Sequence, residues 1–109
     1  MRYSPQSLIA GIFSLLLMAP NAHARDLVAG KVRAQGCVVC HGLLGLSQLP
    51  NAPHLAGLLA IYLAEQLKNY RSGKRENEVM GVIAKPLTNQ EIDDTAAWLA
   101  TIKISVLQK

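Results

Sequence analysis

The chain has 109 residues, half of them hydrophobic and only 5% aromatic, and 11 Lys and Arg against 7 Asp and Glu give a formal net charge of +4. That length amounts to one small domain and no more. The positive charge comes without any Lys/Arg run interleaved with aromatics, so nucleic-acid binding is not expected.

Residues 1–24 read as an export leader. Arg2 supplies a positive start, residues 8–19 an apolar stretch, and Ala22-His23-Ala24 an A-x-A cleavage signal, so cleavage is expected after Ala24 and the product in the periplasm. The apolar stretch is about a dozen residues against the roughly twenty needed to span a bilayer, which makes a retained anchor the lesser alternative. Residues 25–109 then form one domain. Losing the leader removes Arg2, Met1 and Met18, leaving 10 Lys and Arg against 7 Asp and Glu, with Tyr62, Tyr70 and Trp98 as the aromatics. A domain this small and this poor in large side chains needs something else to bury.

Residues 26–36 read as the first helix, with Asp26 as N-cap, Leu27, Ala29, Val32 and Ala34 inside it, and Gly36 closing it. Gly30 falls in the middle, where glycine costs roughly 1 kcal/mol relative to alanine. The alternatives are a weak helix or a close crossing, in which a second helix presses on backbone that a Cβ would hold away.

Cys37-Val38-Val39-Cys40-His41 follows, the C-x-x-C-H pattern of c-type haem attachment. Two cysteines three positions apart on a tight helical turn project to one side, so both thiols can form thioethers with the vinyl groups of one porphyrin. The histidine directly after them is then held beneath the ring with a nitrogen toward the iron. The competing readings use less of the pattern. A redox dithiol wants a βαβ setting that does not follow. A zinc site would have to draw on His23, His41 and His54. A plain disulfide leaves His41 without a role. Haem attachment to reduced cysteines takes place outside the bacterial inner membrane, which agrees with the leader.

Residues 42–57 carry loop signals: glycines at 42, 45 and 57, and Pro50-Asn51-Ala52-Pro53. A ligating histidine normally donates its other ring N–H to a fixed acceptor, and the carbonyl of Pro53 on a rigid loop would serve. An ordinary proline turn is the alternative. His54 is a loop histidine outside any ligand spacing and is expected to be exposed rather than iron-bound.

Over residues 58–72 Leu59, Tyr62, Leu63, Gln66, Leu67 and Tyr70 recur at helical spacing, and Gly73 ends the run. Lys68, Arg71, Lys74 and Arg75 gather at that end. They suit the helix dipole, and they also suit an acidic redox partner or a haem propionate. Residues 76–84 read as a loop carrying Met80, the single methionine beyond the leader. Methionine is ordinarily a flexible core filler, but a thioether also suits the sixth position of haem iron opposite histidine. Thr88-Asn89-Gln90-Glu91 is a capping box opening a last helix to about residue 102, with Ile92, Ala96, Leu99 and Ile102 on one stripe. Trp98 beside that stripe is the natural large partner for Gly30, or packs on the haem.

Taken together, Cys37-Val38-Val39-Cys40-His41-Gly42, Pro53-His54-Leu55-Ala56-Gly57, Tyr62-Leu63 with Gln66-Leu67, Arg71-Ser72-Gly73-Lys74-Arg75, Met80, and Leu87-Thr88 through Ala97-Trp98-Leu99 make the chain resemble a class I cytochrome c of the small bacterial c4/c5/c553 type. The resemblance covers essentially all of residues 25–109. It implies an all-α cytochrome c fold: N- and C-terminal helices crossing with Gly30 near Trp98, a middle helix, and loops around one covalent haem c. It also implies Cys37 and Cys40 as thioether positions, His41 as proximal ligand, Pro53 as acceptor for its ring N–H, and Met80 as distal ligand. Relatives usually carry a polar residue where this chain has Leu58, so any contact made there is lost.

The expected function is electron carriage by outer-sphere transfer at a His/Met-ligated iron, without catalysis of a substrate. Redox proteins are the expected partners, with transient docking to a membrane-bound oxidase or dehydrogenase, and the carrier is expected to be a monomer. Two alternatives stand beside it. One is an electron-transfer subunit held in a dehydrogenase or oxidase complex, favoured by an exposed apolar patch at Leu43, Leu44, Leu46 and Leu49. The other is a five-coordinate peroxidase-like or gas-binding haem protein, should Met80 not reach the iron.

Overall fold

A computed structural model describes residues 24–108, and every described element is helical. The expected leader falls outside the described residues except for Ala24. Helix α1 (Leu27–Ala34) opens as expected on Asp26, whose carboxylate accepts from the N–H groups of Val28 and Ala29 at 2.9 and 3.0 Å. Gly36 does not close it. The chain tightens into a 3-10 turn (Gln35–Cys37) and continues as the single turn α2 (Val38–His41), so the cysteine motif is an extension of the first helix.

The middle helix α3 (Ala60–Ser72) starts two residues later than the apolar spacing suggests, because Leu59 is extended at the N-cap and offers no capping side chain. Gly73 ends it as expected. Residues 76–84, expected as a loop, are instead helical over most of their length: α4 (Glu78–Ala84) is started by Asn77, whose side-chain oxygen accepts from Val79 N and Met80 N at 3.0 and 2.8 Å. The last helix α5 (Asn89–Thr101) carries both arms of the expected capping box, Thr88 accepting from Glu91 N and Glu91 accepting from Thr88 N.

Helix α5 is the hub, packing on α1 and on α3, which in turn carries α4. Its stripe is as expected: Ile92 and Ala96 are fully buried and Leu99 nearly so, against Leu63 and Ala64 of α3, with Leu55, Leu67, Leu87, Trp98 and Ile102 around them. The crossing of α1 over α5 occurs at Gly30. A Cβ there would lie 2.0 Å from the carbonyl oxygen of Asp94 and 3.1 Å from Trp98 Cβ, so the contact is chiefly with backbone one turn before Trp98. Buried Asp94 seals the crossing, accepting from Asp26 N at 2.8 Å and Gln90 Nε2 at 2.7 Å.

Candidate functional site

The loop after α2 folds back on the cysteine motif. At Gly42 the backbone turns with φ of 83° and passes so near Leu46 that a Cβ would fall 2.0 Å from its carbonyl oxygen, which leaves room for glycine alone. Ser47 then donates its hydroxyl to Cys40 O at 2.9 Å, while its N–H donates to His54 Nδ1 at 2.8 Å. The Gly45 carbonyl accepts from Leu55 N and Ala56 N at 2.8 and 3.1 Å. These bonds fix Pro53, and His41 Nδ1 lies 2.8 Å from its carbonyl oxygen. A carbonyl only accepts, so Nδ1 carries the proton and Nε2 keeps a free lone pair. His41 is buried, and His54 is exposed with its Nδ1 occupied, as expected of a loop histidine.

A single cavity of about 1160 Å³ gathers the rest. Cys37, Cys40, His41, Pro53 and Met80 all line it, with Leu55, Leu63, Leu67, Leu87 and Leu99 making most of its wall apolar. Met80 arrives from α4, half-buried, placed by the Asn77 cap. Trp98 is not on the wall, and its Cβ lies beside Gly30, the partner expected for it. Cys37 and Cys40 are not joined in a disulfide, and burial, then the neighbouring Cys40, pushes the Cys37 thiol up from its ordinary range. Among the described residues no three His, Cys, Asp or Glu side chains gather as a metal-binding group, so the zinc reading finds no completing ligands there.

The order of these parts along the chain decides the family. A family model for cytochrome c matches residues 27–103. The chain belongs to the cytochrome c family. It is 37% identical over 100 residues to cytochrome c4 of Pseudomonas aeruginosa, covering 91% of this chain and 50% of that protein. To cytochrome c-554(548) of Halomonas halodenitrificans it is 36% identical over 81 residues, covering 72% of this chain and 98% of the relative. The fold matches the crystal structure of reduced recombinant cytochrome c4 from Pseudomonas stutzeri with a TM-score of 0.70 at 35% identity, over 76% of this chain and 48% of that one. The chain thus spans about half the length of the cytochrome c4 relatives it matches.

Family membership and the Cys37-x-x-Cys40-His41 spacing give this cytochrome c one covalently bound haem c. The cavity fits that group. An open cleft of this size with leucine walls leaves much apolar surface facing water unless a large apolar body covers it. An apolar-walled space with two thiols, an imidazole nitrogen and a thioether is shaped for a large, flat, iron-bearing body.

Some of the site was not foreseen. Ser47 ties the loop to Cys40, and Asn77 sets Met80 on a helix; an Asn followed by Glu78 is a readable start signal that Gly81 obscures. The four cations around the end of α3 also separate. Lys68 pairs with Asp93 at 3.1 Å, and Arg71 binds Leu87 O and Asn89 Oδ1 at 2.8 and 2.6 Å. Of the four, Arg75 alone is on the cavity wall.

Proposed function

We propose that this cytochrome c is an exported monohaem electron carrier, residues 25–109 being the working domain after cleavage at Ala24, with His41 Nε2 and Met80 sulfur as the axial ligands and Pro53 holding His41 in place. The observation that carries this reading is the convergence of an imidazole with one nitrogen committed to Pro53 and the chain's one non-leader thioether on a single cavity. Bound haem supplies an iron that exchanges one electron between ferrous and ferric forms. The chain's own contribution is positional. Cys37 and Cys40 anchor the group, Pro53 fixes the tautomer and angle of His41, and the Asn77 cap holds Met80 on α4. The leucines of α3 and α5 exclude water. Held by both His41 and Met80, the iron would offer a substrate no open position, so the chain would carry electrons and not catalyse a reaction. No described helix is long and apolar enough to cross a membrane.

The test is the optical spectrum of protein isolated from periplasm. A pyridine haemochrome of c type and the red charge-transfer band of Met-ligated ferric haem are expected. A ferrous form that binds carbon monoxide rapidly at neutral pH would overturn the six-coordinate reading in favour of a peroxidase-like or gas-binding protein.

A second reading has an observation of its own. Leu43, Leu44, Leu46 and Leu49 are all exposed on the loop just after His41, which supports an electron-transfer subunit docked to a dehydrogenase or oxidase. Co-purification with a large partner would favour it, and a monomer on size exclusion favours the free shuttle.

A further inference from the structure

The cations around the cavity differ in what they have left to bind. Arg33 is on the wall but is paired with Glu91. Asp94, the other acid there, is taken by Asp26 N and Gln90. Arg71 and Lys68 are committed elsewhere, and Lys74 faces a separate cleft. Arg75 is on the cavity wall and belongs to no ion pair among the described residues. Yet it is held. Its Nη1 donates to Gln66 Oε1 at 2.8 Å, its Cζ lies 4.7 Å above the ring centroid of Tyr70, and its backbone N–H donates to Asn69 O at 3.1 Å. Stacking and the amide bond use one face and one N–H, leaving most of a five-donor fork unspent.

We propose that Arg75 is a carboxylate-binding residue of the cavity and holds a haem propionate. This rests on the haem reading of the cavity. The porphyrin's propionates lie on the edge opposite its vinyl groups, so anchoring the vinyls at Cys37 and Cys40 directs the carboxylates away from α2. Away from α2 the wall is shared by α1, α5, residues 49–58, and α3, α4 and the turn between them, and Arg75 is the cation on that turn with no acid of its own. A planar guanidinium braced by Tyr70 and Gln66 suits a carboxylate better than a flexible ammonium would. The electrostatic consequence has a definite sign. A bare propionate favours the ferric state, and a guanidinium on it cancels that preference, so Arg75 raises the reduction potential.

Potentiometry of the haem-loaded protein tests this with Arg75→Gln beside Lys74→Gln, which removes the same charge one residue away and off the cavity wall. With haem content equal by pyridine haemochrome, Arg75→Gln is expected to raise the ferric-to-ferrous ratio at fixed ambient potential by roughly three- to tenfold, and Lys74→Gln by much less. Equal shifts in the two variants, or none, would overturn the assignment. Arg75→Lys keeps the charge and covers the case in which Arg75→Gln does not mature. In the oxidised-minus-reduced infrared spectrum of protein with isotope-labelled propionates, its carboxylate bands should move from the wild-type positions, and unmoved bands would overturn the assignment. A wild-type chain without covalent haem would instead sink the haem reading itself, and the haemochrome reports that before any potential is read.

Discussion

Gly30 lies directly against the backbone carbonyl of Asp94, with 2.0 Å between that oxygen and the place a β-carbon would occupy. Backbone cannot swing aside as a side chain can, so Gly30→Ala must push α1 off α5. Alanine's higher helix propensity returns roughly 1 kcal/mol, but overpacking costs about 1–3 kcal/mol and more where the obstacle is main chain. A net loss of about 2 kcal/mol is expected, seen as a fall in Tm of roughly 8–16 °C for a domain of this size. Gly81→Ala is the contrast. Gly81 lies inside α4 with nothing near its absent Cβ and off the cavity wall, so alanine there should stabilise by about 0.5–1 kcal/mol. Thermal melts of the two variants with opposite signs check the crossing.

Thr95 presents the opposite problem, a polar atom with too little to do. It is 2% exposed on α5, and its Oγ1 has no hydrogen-bond partner among the described residues. A buried hydroxyl left unmet costs about 1–3 kcal/mol, and valine has nearly the same shape without it. Thr95→Val should therefore stabilise by about 1 kcal/mol and raise Tm by several degrees, measured at equal haem content. A destabilised Thr95→Val would mean that the hydroxyl has a partner in the haem-loaded protein.

The buried core is thin: Leu63, Ile92 and Leu99 are its large members, around a cavity of about 1160 Å³. A chain that cannot attach haem has to hydrate or collapse those apolar walls. Cys37→Ala/Cys40→Ala is expected to give a chain with reduced helical circular dichroism, narrow amide proton dispersion and no cooperative melt. A sharply melting haem-free chain would show that helix packing alone supports the fold.

Much of this was legible in the sequence because it rests on local chemistry. Asp26 and the Thr88/Glu91 box announce helix starts by their own hydrogen bonds, and Gly30 and the Ile92-Ala96-Leu99 stripe announce a crossing and a buried face. The cysteine spacing names its cofactor. What stayed hidden depends on partners distant in sequence. The four cations around the end of α3 look alike until Asp93, Leu87 and Gln66 sort them, across separations that no periodicity records. Helix α4 was missed for another reason: seven residues with a central glycine are too short to show a period, although Asn77 marks their start.

Placing Met80 on α4 gives a sharper test of its role than a loop position would. A helix capped at Asn77 holds the residue at a fixed height on the cavity wall, so a non-ligating side chain of similar volume should leave the fold in place. Met80→Leu is expected to retain covalent haem, lose the red charge-transfer band, gain binding of imidazole and carbon monoxide, and fall in potential, because a soft thioether favours the ferrous state. An unchanged spectrum would remove Met80 from the iron.

Glu91 does two things at once, and they separate by chemistry. Its Oε2 accepts from Thr88 N at 2.9 Å to complete the capping box, while its Oε1 pairs with Arg33 across the α1–α5 crossing. The pair is half-exposed on the arginine side, so it should contribute well under about 1 kcal/mol, whereas the cap contributes about 1 kcal/mol. Glu91→Gln keeps an acceptor for Thr88 N and loses only the charge. It should cost less than about 0.5 kcal/mol and converge on wild type at high salt. Glu91→Ala loses both bonds and should cost at least as much as Thr88→Ala, about 1 kcal/mol, with little salt dependence in the capping share. Melts of the three variants at low and high salt measure the two contributions. If Glu91→Gln proves as damaging as Thr88→Ala, and salt relieves it, the Arg33 pair is holding the crossing together alongside Asp94 and is no ordinary surface contact.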